Sequence, residues 1–558
     1  MLANLAAVNP NPFSPLGAVQ GADLPPPPPL PVIARAFTGD YRIDVLIDDP
    51  NFRWNVGQAV GTPVEVTYSF MVAQPAYGDG GGSARPGSFM AFNDAQKLAT
   101  RQILARISEF TALSFKEVPD TGATFGQIAL GNNAQGASAG YAFLPNSNQG
   151  PGSEVNGDVW IDLAYVNQTT PGTFGYTTLV HEIGHALGLN HPGNYNAGEP
   201  ANPNAVGNFY GVLEDNLAYT VMSYRDVAQA QTRVDYGRYD ILTLQYLYGS
   251  KPVAPEDTVY RVEDTQGQRL QTFVDSGGTD TLDLSAVTVG ARVDLREGAF
   301  SSVGRLANSD AARDNLDFAL GTVVENVRGT TQADVVTGNG SANTFVLAGG
   351  NDTADGGSGR DVLRLTGNRA DYTVQRDATS ARITVADNLA GRDGTDVLRS
   401  VEVLAFADGD VTVGPLGGDF AVVALGRALG QPVTAGGYAA AQGAFIAQGG
   451  PAYAAGVFGA RAGQTNQAVA TDVLNGVGIR VDTLDGGAPQ ASYQALRDAL
   501  SLFFDVFPTA RSQVVLNLTG LLGNLEGNAV YGRAAAAFND AVASDYFAAT
   551  LVGQPTLA

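Results

Sequence analysis

The sequence predicts three successive folds: an α+β domain, a parallel β-roll or β-sandwich, and a mainly α-helical C-terminal domain. Three observations carry that reading. All three histidines of the 558-residue chain fall between positions 181 and 191, on a segment with helical spacing. From Gly329, nine-residue units rich in Gly and Asp follow one another. Beyond about Pro415 the composition turns to Ala, Gly and Gln in runs of helical length. A chain this long exceeds one core and suggests about three or four domains.

Residues 1–37 are Pro-rich, with an unbroken run from Pro25 to Pro29, and read as a leader or pro-segment holding polyproline II. The first residues lack the basic start and apolar run of a secretory signal peptide. Residues 38–250 form the α+β domain. "VEVTYSFM" (64–71) alternates as a strand does, and "FNDAQKLATRQILARISEFTAL" (92–113) carries apolar spacings of three and four after an Asn93 cap. "SFKEV", "GQIALGN" and "GDVWID" (157–162) read as strands, and "GYAFLP" (140–145) as an edge strand stopped by Pro145. A helix is expected from near Thr177 to Leu187, and another over 235–249 with a Gly stop. "SKPVAPEDT" (250–258) reads as a linker, 251–415 as the roll, and 416–558 as the helical domain.

Composition narrows the partners. Fifty-five Asp and Glu oppose 32 Lys and Arg, for a net charge of −23, which argues against nucleic acid and anionic membranes. There is no cysteine, so neither disulfides nor thiolate chemistry are available. No apolar run approaches the roughly eighteen residues of a membrane span. An acidic excess also suits cation binding, and two regions gather the ligands for it.

The first is "GYTTLVHEIGHALGLNHPGNYN" (175–196). On a helix, His181 and His185 share one face a turn apart, which suits a single metal ion. Gly188 ends the helix, since a residue without a Cβ takes the left-handed conformation that turns the chain back, and the turn delivers His191 as third ligand. Three neutral ligands fit one zinc ion with an open position. Glu182 lies around the helix, placed to reach a water on the metal and act as general base in carbonyl hydrolysis.

The second is the repeat region. Its units are "GTTQADVVT", "GNGSANTFV", "LAGGNDTAD" and "GGSGRDVLR", and the last fits G-G-x-G-x-D-x-U-x throughout. Glycines such as Gly349, Gly356, Gly357 and Gly359 allow turns that aim carbonyls inward. The sixth positions are Asp334, Asn343, Asp352 and Asp361; the eighth, apolar, are Val336, Phe345, Ala354 and Leu363. One unit cannot bury its apolar side, so the units coil, and calcium between loops two units apart pairs Asp334 with Asp352 and Asn343 with Asp361. The neutral Asn343 weakens the second pair. "DSGGTDTLDLS" (275–285) has a shorter version of the loop.

"HEIGHALGLNHPG" resembles the metzincin zinc peptidases, and within them the serralysin type, secreted bacterial endopeptidases with a C-terminal RTX β-roll. The resemblance covers roughly residues 38–415. It implies a metzincin-like catalytic domain holding one zinc and an RTX domain holding several calcium ions. It makes Met222 of "TVMSY" (220–224) the methionine of the turn beneath the metal, and Tyr224 a group that helps stabilise the transition state. It implies that substrate adds as a strand along Gly140, Tyr141, Ala142, Phe143 and Leu144, with broad endopeptidase specificity. It adds a calcium site at Asp275, Gly277, Gly278 and Asp280 with Glu325, and it implies type I secretion to the cell exterior. The expected function is therefore a secreted, calcium-stabilised zinc endopeptidase acting on protein or peptide substrates. The alternative is a calcium-dependent surface or adhesion protein in which the peptidase fold is a scaffold, and the intact Glu182 speaks against it. The helical segment has no counterpart in the resemblance; a cell-surface layer or the chain's own catalytic cleft are its two candidate partners.

Overall fold

The computed structural model of the chain describes residues 37–550 apart from 80–87, 137, 147–153, 196–207, 358, 378–381, 416–417, 435, 462, 486–488, 507–510, 524, 526–527 and 529. The Pro-rich leader, except Phe37, lies outside the described residues.

A short helix α1 (Tyr41–Asp44) precedes a five-stranded sheet of order β2-β1-β3-β5-β4, with β1 (Val64–Phe70), β2 (Leu113–Glu117), β3 (Ile128–Asn133), β4 (Gly140–Ala142) and β5 (Val159–Asp162). The pairings are parallel except that of β4 with β5, which places β4 antiparallel at one edge. Helix α2 (Asp94–Phe110) starts at the expected Asn93, whose side chain and that of Gln96 form a capping box, and it buries Ala99, Ile103, Leu104, Ile107 and Phe110. Helix α3 (Phe174–Ala186) begins one turn earlier than the sequence suggests, because Thr173 is extended and the turn at Gly175 and Tyr176 is already buried. All residues of α3 from Gly175 onward are buried, so tertiary packing overrides the modest propensity of its Gly, Thr and Val. Helix α4 (Arg238–Tyr248) is capped by Gly237 and stops at Gly249, φ +87°.

The α+β unit and the roll share structure across the expected boundary at residue 250. Strand β6 (Thr232–Arg233) pairs in parallel with β8 (Arg269–Phe273), in a four-stranded sheet completed by β11 (Phe300–Ser301) and β12 (Leu316–Phe318). Val274, Phe300 and Ala319 belong to the same hydrophobic core as α3 and α4. The segment read as a linker is pinned: Lys251 N donates to Phe110 O (3.3 Å), Val253 N to Ser276 Oγ (2.8 Å) and Thr258 N to Asp280 Oδ1 (2.8 Å).

Two further sheets form the roll. One holds β7 (Val259–Glu263), β9 (Thr281–Ala286), β13 (Asn326–Arg328), β15 (Thr344–Val346), β17 (Val362–Arg364), β21 (Val403–Phe406) and β22 (Gly409–Thr412). The other holds β10 (Arg292–Asp294), β14 (Val335–Thr337), β16 (Thr353–Asp355), β20 (Thr395–Arg399) and the hairpin β18 (Tyr372–Asp377) and β19 (Arg382–Asp387). Successive nine-residue units alternate between the sheets, and Val336, Phe345, Ala354 and Leu363 all point into the shared core.

Helices α5 (Gly418–Ala428), α6 (Tyr438–Gln448), α7 (Gly450–Phe458), α8 (Asn466–Gly476), α9 (Pro489–Val506), α10 (Arg511–Gly523) and α11 (Gly532–Thr550) have a separate core that includes Val422, Leu425, Val473, Phe504 and Phe538. They lean on the roll through α11: Phe547 is buried in the roll's core, Arg376 lies over its ring, and Arg399 Nε donates to Asp540 Oδ1 (3.1 Å). Among the described residues no helix is long and apolar enough to cross a membrane.

Candidate metal centre

The three imidazoles converge. His191 Nε2 lies 3.2 Å from His181 Nε2 and 2.9 Å from His185 Nε2. The other ring nitrogens fix the tautomers: His181 Nδ1 donates to Val221 O and His185 Nδ1 to Leu189 O, each at 2.8 Å. For those two rings Nε2 is thereby a lone pair. Burial lowers the pKa of His181 to about 4, and burial with the neighbouring imidazoles holds that of His185 well below its ordinary value. Neutral rings with lone pairs meeting at one point repel each other unless a cation sits between them. Nitrogens tetrahedrally disposed around zinc stand about 3.3 Å apart, close to what is seen. The donor set fits zinc, its three ligand atoms lying within 4.8 Å of one another.

The expected turn delivers His191. Gly188 has φ +101°, and a Cβ there would fall 2.3 Å from the carbonyl oxygen of Phe52, so both conformation and space require glycine. The open end of α3 is closed by Gly188 N to His185 O (2.8 Å) and Leu189 N to Gly184 O (3.0 Å), while Trp54 Nε1 and the Tyr248 hydroxyl donate to the Ala186 and Leu187 carbonyls. Met222 is fully buried with its sulfur beneath Gly184. Asp240, which the sequence reading missed, holds this turn: Oδ2 accepts Val221 N and Gly237 N, each at 2.7 Å, and Oδ1 accepts the Thr220 hydroxyl. Burial raises its pKa to about 6. An acid three residues after Gly237, at the start of an apolar helix, was the available signal.

Glu182 is buried, and its Oε2 has no hydrogen-bond partner among the described residues. Burial pushes its pKa up to about 8, and positive charge beside it would favour the ionised form. Its neighbour is the edge strand. A Cβ on Gly140 would lie 2.8 Å from Glu182 Cγ and 2.9 Å from Oε1. The strand proper covers Gly140, Tyr141 and Ala142; Phe143 continues the pairing through Phe143 N to Asp158 O (3.1 Å), and Leu144 follows outside it. Tyr224 is 46% exposed, with its ring 4.6 Å from that of His191 and stacked 4.8 Å from Tyr195. The Tyr195 hydroxyl donates to Asp215 Oδ1 (2.6 Å). Tyr195 was also missed, since nothing in "HPGNYN" marks it as a support.

In the roll the sixth positions stack in two columns. Asp334 N donates to Asp352 Oδ1 (2.7 Å) and Asp352 N to Asp396 Oδ1 (3.1 Å); Asn343 N donates to Asp361 Oδ1 (2.7 Å) and Asp361 N to Glu402 Oε2 (2.8 Å). Both expected pairs are thus adjacent. The Asn343 amide is engaged, accepting Asn339 N (2.9 Å) and donating to Glu325 O (2.9 Å). Gly349 and the pair Gly356 and Gly357 lie in the turns before these strands, with Gly359 just beyond. At the shorter loop, Glu325 Oε2 accepts Asp280 N (2.7 Å) and Asp275 Oδ1 accepts Gly277 N (2.9 Å), with Gly278 in the turn. Asp280 Oδ2 and Asp352 Oδ2 are buried with no hydrogen-bond partner among the described residues. Burial raises Asp280 to about 6 and Asp352 to about 7, and burial with the neighbouring Asp352 raises Asp396 to about 8. Stacked acids with orphan oxygens fit an oxygen-seeking cation such as calcium.

Residues 239–409 match the family described as Peptidase M10 serralysin C terminal. The chain is 34% identical over 326 residues to serralysin of Proteus mirabilis, covering 52% of this chain and 63% of that protein. It is 31% identical over 341 residues to metalloprotease AprA of Pseudomonas entomophila (strain L48), covering 56% and 66%, and 32% identical over 330 residues to serralysin C of Dickeya chrysanthemi, covering 53% and 64%. The chain thus spans a little under two thirds of the length of these curated relatives.

Proposed function

We propose that this chain, a relative of the serralysin-type metzincin metallopeptidases, is a secreted zinc endopeptidase that cleaves protein or peptide substrates and is stabilised by calcium in its roll. The observation that carries the reading is the convergence of three buried imidazoles beside a buried carboxylate oxygen with no protein partner. His181, His185 and His191 hold the metal. Zinc held there would supply the Lewis-acid chemistry for activating a water and polarising the scissile carbonyl. Glu182 takes the proton of the attacking water and passes it to the leaving amine. Tyr224, exposed at the rim beside His191, donates its hydroxyl to the oxygen that becomes negative. The edge of β4 pairs with the substrate main chain, which orders an extended peptide without selecting one side chain. The adhesion-scaffold alternative leaves the cost of burying Glu182 unexplained.

Metal removal and return test the reading. The purified protein is expected to carry about one equivalent of zinc and to cleave casein; zinc chelation abolishes cleavage and stoichiometric zinc restores it. A folded protein that binds no zinc at this site rules the reading out.

Gly140 supplies a second prediction. With 2.8 Å between a Cβ and Glu182 Cγ, Gly140→Ala pushes the carboxylate out of place. Turnover of a peptide substrate should fall by about 10- to 100-fold with zinc content unchanged, as expected for a base misplaced by about 1 Å. Wild-type turnover in this variant would mean that the base does not work from the position seen.

Calcium in the roll and export by type I secretion belong to the same proposal. Extracellular modules bind calcium with Kd of roughly 10⁻⁴–10⁻³ M, so the roll would fold on reaching calcium-rich surroundings. For the helical segment, the contacts of α11 favour the roll as its immediate neighbour over the catalytic cleft.

A further inference from the structure

We propose that Asp317, on strand β12, is a positioning residue of the zinc site and that the roll side of the chain is thereby part of the metal centre. The inference rests on the zinc reading above.

Asp317 is the hub of a buried charge network. Its Oδ2 accepts Arg238 Nε at 2.6 Å, with both side chains at most 1% exposed. Its Oδ1 accepts the Thr272 hydroxyl (2.7 Å), which accepts Arg233 Nη1 (3.0 Å). One carboxylate thus contacts two buried guanidinium groups, the first directly and the second through a hydroxyl, and the carbonyls of Gly298 and Ala299 also hold the first. The Arg238 guanidinium also lies 4.0 Å from the centre of the Phe300 ring and 5.4 Å from that of Tyr219.

Both arginines lead to the turn beneath the metal. Arg233 donates to Leu217 O (2.6 Å) and Ala218 O, the carbonyls that precede the turn, and to Tyr236 O (3.1 Å). Arg238 opens α4, and two residues later Asp240 grips Thr220 and Val221. The segment 217–222 is therefore held at its start by Arg233 and at its middle by Asp240. Val221 O then takes the Nδ1 proton of His181, which sets the tautomer and direction of the first ligand. Groups this deeply buried act as a unit: removing one leaves its partner charged and unpaired, and the partner moves or draws in water.

A merely structural role, in which the ion pair welds two units together, predicts lower stability with an unchanged metal site. A positioning role predicts a change at the metal itself. The measurements use the full chain with calcium present: the rate of zinc release to a chromogenic chelator, and the visible absorption of the cobalt-substituted protein. Thr272→Val removes only the hydroxyl and keeps the ion pair. It should speed zinc release by about 10-fold and shift the cobalt spectrum, while Thr272→Ser restores both. Asp317→Asn should weaken zinc binding by about 10- to 100-fold. Should Asp317→Asn fail to fold, Thr272→Val decides. Wild-type zinc release and an unchanged cobalt spectrum in Thr272→Val overturn the proposal. A wild-type protein that takes up neither metal is a different result, and it removes the zinc reading together with this one.

Discussion

Glu182→Ala should retain about one equivalent of zinc and lose proteolysis by about 10³-fold, roughly 4 kcal/mol on the barrier. Zinc should stay because nothing that orients the ligands passes through Glu182. His181 and His185 are aimed by the carbonyls of Val221 and Leu189, and His191 by the turn at Gly188. Activity should go because the metal-holding group among the described residues consists of imidazoles alone and includes no carboxylate to replace Glu182. The variant should also melt no lower than the wild type. Glu182 is buried with one oxygen unpartnered, and its removal relieves a desolvation penalty while leaving a small cavity. Loss of activity with an unchanged melting temperature separates a chemical role from misfolding. Loss of zinc together with activity would make Glu182 a support for the metal instead, and full activity would end the mechanism.

What the sequence made legible was local. His181, His185, Glu182 and Gly188 could be assigned roles because helix geometry fixes the relation of residues three and four apart, and α3 keeps that relation. The eighth positions of the repeats were legible for the same reason, since a nine-residue phase alternates between two sheets. What escaped was set by contacts distant along the chain. Asp317 meets Arg238 across 79 positions, and β6 is a two-residue strand whose partner lies beyond a segment that reads as a linker. Asp396 was missed although "GRDGTDVLR" repeats the nonapeptide: the hairpin of β18 and β19 intervenes, so it follows Asp352 by 44 positions where Asp352 follows Asp334 by 18. Glu402 was hidden likewise, 41 positions after Asp361. The nonapeptide pattern resumes at Gly391 after the insertion, whereas no glycines precede Glu402 in 397–401 to mark it.

Calcium should raise the melting temperature of the full chain by an amount that also reports how far the roll and the peptidase unfold together. Without a cation, acids stack on acids: Asp352 is raised by burial and by Asp334, and Asp396 by burial and by Asp352. A divalent ion beside the Asp352 oxygen replaces that repulsion with attraction. For a Kd of roughly 10⁻⁴ M, 5 mM calcium stabilises the folded state by about 2 kcal/mol per site, hence about 6 kcal/mol if the two columns and the Asp275 loop each take one ion. If the roll melted alone the shift would approach roughly 18 °C, whereas a unit spanning peptidase and roll would shift by roughly 8 °C, because the same free energy is divided by a larger unfolding entropy. The shared sheet of β6 and β8 and the buried Arg238–Asp317 pair favour the second. Calorimetry of zinc-loaded protein with and without calcium should therefore show one main transition for residues 37–415 that moves by the smaller amount. Asp352→Ala should remove about a third of the shift. A melting temperature indifferent to calcium would mean that the columns hold no ion, and a large shift confined to a separate roll transition would mean that the interface does not transmit it.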